Sequence, residues 1–324
     1  MMKKNAAILV KATLALLILI AILWVHSHWA EIPPLLEKSW EILRNIKITY
    51  FILAFLTYIL SVYLFAVRWQ RVLAAAGYDL TSGDTFPIIF GSTLINNITP
   101  TSRAGGEGLR VFWANKRYKI SYTDGIMTTF FERVVEIIPI ALLFAYVLYT
   151  FPVFRGSFLS QSPTSNSVLL LLLALAIIIG LAAWKYSREG EEAKSFLKEV
   201  LHSWRQLHKA FVSTVLLSSA VWVLDIGRLK FISLALDLSI SIHVIAAISV
   251  LSLILGIIPI TPGGLGIVEG GLISLLLYFG LSLPTAGSFV FLERFISYWL
   301  SSLIGLLYLY YYGELRIWEN LKSL

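Results

Sequence analysis

The chain has 324 residues, of which 58% are hydrophobic and 14% charged, with a formal net charge of +7 and a mean hydropathy of +0.80. Soluble domains carry about a quarter of their residues as Asp, Glu, Lys and Arg. The polar side chains here are too few to coat a water-soluble globule, so the surplus apolar surface has to face lipid, which excludes a soluble enzyme, a disordered regulator and a nucleic-acid binder. With no cysteine in the chain, disulfides, thiolate metal sites and cysteine nucleophiles are excluded as well.

A membrane-spanning helix needs about 20 apolar residues. In chain order the runs that qualify are 6–25, 48–67, 125–149, 168–184, 211–236, 242–258, 265–283 and 285–312. The first follows Met1-Met2-Lys3-Lys4 but lacks a small-x-small cleavage site after Val25, so it reads as a retained anchor. The run 86–98 is too short to span and too apolar for a solvated loop, which predicts a re-entrant or interfacial segment. The stretch 32–47 reads as a surface helix with Leu36, Trp40 and Leu43 on one side. The stretch 186–209, with Leu197, Val200, Leu201, Trp204 and Leu207 at helical spacing, reads as a cytoplasmic amphipathic connector.

Eighteen of the 26 basic residues fall at the two termini and in the loops after the second and fourth spans. Arg68, Arg71, Arg103 and Arg110 are counted there, against four (Lys38, Arg44, Lys47 and Arg155) in the opposite loops. The positive-inside rule puts the larger group, and both termini, in the cytoplasm. The expected fold is therefore an all-α polytopic protein of the cytoplasmic membrane. It has about eight transmembrane helices plus re-entrant or broken ones, in one transmembrane domain over 1–324.

The chain also resembles itself. Ile98-Thr99-Pro100 leads into Gly105-Gly106-Glu107-Gly108, and Ile260-Thr261-Pro262 leads into Gly263-Gly264-Leu265-Gly266. Glu132-Arg133 then recurs as Glu293-Arg294, inside an apolar segment each time. This ordering predicts two repeats, near 84–150 and 242–312. The span count gives their Glu-Arg helices opposite directions, the inverted arrangement shared by many secondary transporters.

Proline ends helices and paired glycines free the backbone, so each motif is expected to interrupt a helix near membrane depth. Such a break is tolerated only against protein or a watery cavity. The N–H groups of the restarting helix suit an anion, and Arg103 and Arg110 beside the first break can grip a phosphate. On the other reading the glycines serve close helix packing. Candidate substrate-binding residues are thus Thr99, Pro100, Arg103, Gly105, Gly106, Glu107, Arg110, Pro262, Gly263, Gly264, Gly266 and Glu269. Ionisable residues inside spans are costly and functional by default; Glu132, Arg133, Glu136, Asp225, Arg228, Glu293 and Arg294 form that set. Neighbours such as Glu132 and Arg133 lie about 100° apart on a helix, so the arginines are expected to find acids on other helices. The expectation is that Glu132, Glu269 and Glu293 pair with Arg133 and Arg294, across the repeat interface. The alternatives are a neutral network that locks the bundle and carboxylates that relay protons or receive a cationic head group. No catalytic signature, metal set or cofactor fingerprint is legible.

These residues, above all 99–110, the Pro-Gly-Gly-x-Gly-x-x-Glu stretch from Pro262 to Glu269 and the two Glu-Arg pairs, resemble the lysylphosphatidylglycerol synthase transmembrane family. The resemblance covers nearly the whole chain. In two-part members this region is a lipid-translocating module fused to a soluble aminoacyl transferase. No such domain follows here before Leu324, so the resemblance implies movement of a membrane lipid, an anionic or aminoacylated phospholipid or a polyprenyl-linked carrier, rather than its synthesis. The rival expectations are an intramembrane lipid-carrier transferase and a non-transporting partner that docks a lipid-modifying enzyme through the basic loop 103–119.

Overall fold

The computed structural model describes residues 30, 32–100, 104–152, 204–257 and 260–312. The expected spans at 6–25 and 168–184, the connector before Trp204, and Arg103 lie outside them. The described residues form an all-α membrane protein. Three of the helices are long and apolar enough to cross a bilayer: Ile48–Ala75, Trp204–Ala235 and Leu283–Tyr311.

Helix α1 (Ile32–Arg44) carries Leu36 and Trp40 on its exposed side and Leu43 toward the core. Helix α2 (Ile48–Ala75) runs eight residues past the expected end of its span. Arg68 and Arg71 are therefore helical rather than loop residues. The run expected to be re-entrant or interfacial is α3 (Ser82–Ile98), started by a capping box between Thr81 and Asp84. At 17 residues, or about 26 Å, it falls short of the hydrocarbon thickness, and most of its length is buried. The polar stretch after it is no loop: it folds as α4 (Ala104–Tyr118), which packs back on α3 as a helical hairpin. Helix α5 (Tyr122–Thr150) is long and carries Glu132, Arg133 and Glu136.

A second, similar series begins at α6 (Phe211–Ala235). Helix α7 (Ile242–Ile257) and the 12-residue α8 (Ile267–Tyr278) form the second hairpin, joined by a turn at Pro262–Gly264. The segment read as a full span at 265–283 is thus a short half-hairpin of about 18 Å, because three glycines delay the helix start. Helix α9 (Leu283–Arg294) continues through a π-helical turn (Phe295–Leu300) into α10 (Ser301–Tyr311).

The two series share their local devices. Helices α2 and α6 end in the same reverse turn, with left-handed Gly77 and Asp237 and matching bonds from Tyr78 N–H to Leu73 and from Leu238 N–H to Ser233. Helices α5 and α9 begin at serine caps, Ser121 and Ser282, each accepting from the backbone N–H three residues on. Each long final helix is interrupted, α5 by Pro139 and the α9–α10 rod by the π turn. Beyond the interruption each packs on the hairpin of the other series. Val147 of α5 sits among Ala246, Ala247 and Val250, and Leu309 of α10 among Phe90, Leu94 and Trp113. Helices α2 and α6 pack closely along each other.

Gly305 is where α10 meets α3, and a Cβ there would overlap the Phe90 carbonyl oxygen. Gly305→Ala should lower the stability of the detergent-solubilised protein by about 1–3 kcal/mol. Gly287→Ala, where nothing lies within 4 Å, should leave it unchanged or raise it by about 0.5–1 kcal/mol. Thermal unfolding of the two variants checks both.

Candidate functional site

The two sequence motifs break the chain in different ways. In the first, α3 stops at an extended Thr99, whose hydroxyl bonds Ile95 O at 2.7 Å, and Pro100 follows. Gly105 and Gly106 are not the break but lie inside the first turn of α4. Gly106 is needed for approach: its N–H bonds Asn96 Oδ1 at 2.8 Å, and a Cβ would overlap the Ser92 carbonyl oxygen. In the second motif the glycines make the turn, with φ of 57° at Gly263, 71° at Gly264 and 83° at Gly266. These left-handed values suit glycine. Gly263 also lies against the other hairpin, where a Cβ would meet Asn97 O at 2.8 Å. Asn97 also ties the first tip to the α9–α10 rod: its carbonyl accepts from Tyr298 Oη at 3.0 Å and its amide donates to Ser302 Oγ at 2.9 Å.

The N–H groups expected to bind an anion are partly occupied by the protein itself. Asn96 takes the Gly106 N–H, and the Glu269 carboxylate takes the Gly266 N–H at 2.6 Å. The negative charge at the head of α8 is thus a side chain of this protein. Gly105 also has interactions in the structure.

The ion pairs follow one plan twice. Arg133 on α5 donates from Nε to Glu107 Oε1 on α4 at 2.5 Å; Arg294 on α9 donates from Nε to Glu269 Oε1 on α8 at 2.6 Å. Arg294 also reaches the Gly263 carbonyl at 2.8 Å. Deeper in, Arg68 of α2 donates to Glu132 Oε1 at 2.9 Å, and Arg228 of α6 to Glu293 Oε1 at 3.1 Å. The separations match: 64 residues for the first deep pair and 65 for the second. The expected pairing is therefore corrected in detail. Arg133 and Arg294 do find acids on neighbouring helices, but within their own series rather than across the interface. Glu132 and Glu293 pair instead with Arg68 and Arg228.

Glu132 is doubly held, because Arg110 of α4 grips its other oxygen. Arg110 is 4% exposed, its guanidinium lies 3.9 Å from the centre of the Trp69 ring, and its Nε has no partner among the described residues. Glu136 joins the cluster through Arg133 NH1 at 2.8 Å and Arg68 NH1 at 3.8 Å. In the second series Asp225 accepts from Arg228 at 2.7 Å and from Ser249 Oγ at 2.5 Å.

Two adjoining cavities lie at this junction. One, of about 290 Å³, is lined by Arg68, Arg110, Arg133 and Arg294 together with Asn96, Asn97, Thr261, Gly263 and Gly264. The other, of about 240 Å³, is lined by Tyr58, Trp222, Glu136, Asp225, Arg228 and Ser249. Phe65, Ile89 and Thr93 border both. The structure thus brings Arg110, Arg133, Gly263, Gly264 and Arg294 to one cavity wall, with Glu107 and Glu269 bonded to two of its arginines. It adds residues that the sequence reading left out: Arg68, Asn96, Asn97, Tyr58 and Ser249. Arg68 had a signal, since it stands 160 positions before Arg228, as Gly77 does before Asp237.

Removing one partner of a fully buried ion pair strands the other, which typically costs about 3–5 kcal/mol. Glu132→Gln, which strands the buried Arg110 and leaves Arg68 only its longer ion pair with Glu136, should cost stability on that scale. Glu107→Gln, in a pair about 30% exposed on both sides, should cost about 1 kcal/mol or less. Denaturant or thermal unfolding of both variants in one detergent checks the ranking.

Known proteins bear on this arrangement. The family described as "Lysylphosphatidylglycerol synthase TM region" matches residues 12–305. A UPF0104 membrane protein of Methanothermobacter thermautotrophicus is 26% identical over 93% of this chain and 96% of its own length. One from Pyrococcus horikoshii is 27% identical, covering 94% of this chain and 96% of the relative. A third, from Methanocaldococcus jannaschii, is 26% identical over 90% and 92%. With a family match over most of its length and relatives aligned nearly end to end, the chain belongs to the lysylphosphatidylglycerol synthase transmembrane-region family.

Proposed function

We propose that the protein moves a lipid head group across the cytoplasmic membrane, its two helical series working as inverted repeats around the paired cavities. The matched devices support repeats that begin one helix earlier than the sequence motifs suggest, at α2 and at α6. The substrate is a membrane lipid with an anionic group: an anionic or aminoacylated phospholipid, or a polyprenyl-linked carrier. The observation that carries the reading is the cavity of about 290 Å³ walled by four arginines where the hairpin tips meet. Guanidinium binds phosphate in two-point fashion. Arg133 and Arg294, at 31% and 13% side-chain exposure, are the accessible ones, whereas Arg68 and Arg110 are 1% and 5% exposed.

A head group therefore competes with Glu107 for Arg133 and with Glu269 for Arg294. Exchange of partners, rather than creation of new charges, would carry it from one side to the other. The reading is of transport, not chemistry. The charge count still supports termini on the cytoplasmic side: eighteen basic residues less the buried Arg68 and Arg110 leave sixteen against four.

Reconstituted protein should exchange fluorescent anionic phospholipids between leaflets of proteoliposomes. Arg294→Gln and Arg133→Gln should each slow that exchange roughly tenfold to a hundredfold, the value of a hydrogen bond to a charged group. No exchange for any anionic or zwitterionic lipid would overturn the reading and favour a partner that docks a lipid-modifying enzyme.

A further inference from the structure

Among the described residues the ion-pair clusters of the two series differ by one charge. The first sets Arg68, Arg110 and Arg133 against Glu107, Glu132 and Glu136, three against three. The second sets Arg228 and Arg294 against Asp225, Glu269 and Glu293, two against three. The missing guanidinium can be located. Arg110 stands three residues after Glu107; three residues after Glu269 stands Leu272, fully buried in an apolar cluster.

The consequence falls on one carboxylate. Asp225 has Arg228 on Oδ1 and Ser249 on Oδ2. Glu269 has Arg294 on Oε1 and the Gly266 N–H on Oε2. Among the described residues Glu293 has only Arg228, on Oε1 at 3.1 Å, and its buried Oε2 has no partner. Glu293 is 4% exposed. An uncompensated charge in apolar surroundings is costly, and a proton on the unpartnered oxygen removes it. We propose that Glu293 is a proton-binding site. In one state of the protein Oε2 carries a proton that comes from water by way of the cavity its partner Arg228 lines, and in the other state it returns that proton to water, with no other bond made or broken.

The surroundings suit a proton that comes and goes. Four residues along the same helix Ser297 Oγ is also buried and, among the described residues, without a partner, and the π turn begins between the two. Such turns recur at functional sites. One turn further Ser301 accepts from the Asn97 amide, at the tip of the first hairpin. On the other side Arg228 and Asp225 line the smaller cavity. The groups facing Glu293 are Arg228 and Asp225 from α6 and Tyr58 from α2. On α8, Glu269 is held by Arg294, and the charged residues of α1 (Glu37, Lys38, Glu41, Arg44) are all exposed to solvent. Protonation turns the Arg228–Glu293 ion pair into a weaker hydrogen bond to a neutral carboxyl and leaves Asp225 as the charged partner of Arg228, which changes the wall of the cavity. If the lipid-transport reading holds, this would couple a proton to lipid movement.

The full chain in lipid nanodiscs, titrated between about pH 5 and about pH 9 to span the range around an ordinary carboxyl and above it, is read by the infrared carbonyl band of a protonated carboxyl. The wild type should show a band that Glu293→Gln abolishes, Glu293→Asp shifts and Asp225→Asn retains. Glu293→Gln leaves Arg228 its closer pair with Asp225, so the variant should still fold. Absence of the band in the wild type, or its persistence in a Glu293→Gln protein that folds, overturns the proposal. Should that variant not fold, a band left unshifted by Glu293→Asp overturns it instead. Proteoliposomes under an imposed pH gradient give the second arm. A band at Glu293 with no lipid movement would sink the transport reading and leave the proton site standing. Lipid exchange that ignores the gradient in both wild type and Glu293→Gln would sink the coupling.

Discussion

A guanidinium buried in an apolar bundle has to meet a carboxylate at hydrogen-bond distance, and the crossing of the helices depends on that requirement. Arg68 on α2, Arg110 on α4 and Glu132 on α5 converge with exposures of 5% or less. Three helices are thereby fixed at one point in both position and rotation. Hydrophobic contact alone would not do this, since apolar side chains pack nearly as well after a small slide. Desolvation cancels much of the Coulombic gain of such a cluster, so its worth lies less in net stability than in the penalty for every arrangement that separates the charges. The Arg228–Glu293 contact imposes the same constraint on α6 and α9, at a similar sequence separation.

The likeness of the two series rests on that constraint as much as on the hairpins. Helices α2 and α6 each carry the arginine that meets the glutamate of the final long helix, so each series is incomplete without its first helix. The reverse turns at Gly77 and Asp237 and the caps at Ser121 and Ser282 set where those helices start and stop. They are local devices that the two series share. Where the halves diverge, the physics differs too: Pro139 interrupts α5 by removing a donor, whereas a π turn interrupts the matching rod by inserting a residue into its ladder.

What was legible in the sequence was whatever depends on composition and short spacing. The apolar runs gave most helices to within a few residues, and the repeated Thr-Pro and Gly-Gly letters located both hairpin tips. Arg68 was lost because hydropathy ends a span at the first charge, although the helix runs on to Ala75. Arg110 was assigned to a cytoplasmic loop for the same reason, since no local rule reveals that a polar stretch will fold back against α3. Equal letters also concealed unequal roles. Gly106 serves close approach in a regular helix, whereas Gly263, Gly264 and Gly266 supply left-handed backbone. Adjacent Glu and Arg on a helix cannot face each other, which was derivable; which arginine each glutamate meets is a tertiary fact.

The inner and outer pairs are also suited to different work. An inner pair such as Arg68–Glu132 is shut off from water on both sides, so opening it exposes two charges to an apolar interior at once. It acts as a fixed strut. The outer pairs, Arg133–Glu107 and Arg294–Glu269, border a cavity and keep partial contact with solvent. Their charges can be passed to water or to another ion without full desolvation, and that lowers the barrier to exchange. Arg294 has a further constraint, because it also holds the Gly263 carbonyl at the tip of the second hairpin. A ligand that draws Arg294 away from Glu269 therefore pulls on the same backbone turn that rests against Asn97. Electrostatic competition at one side chain is in this way connected mechanically to the contact between the two hairpins.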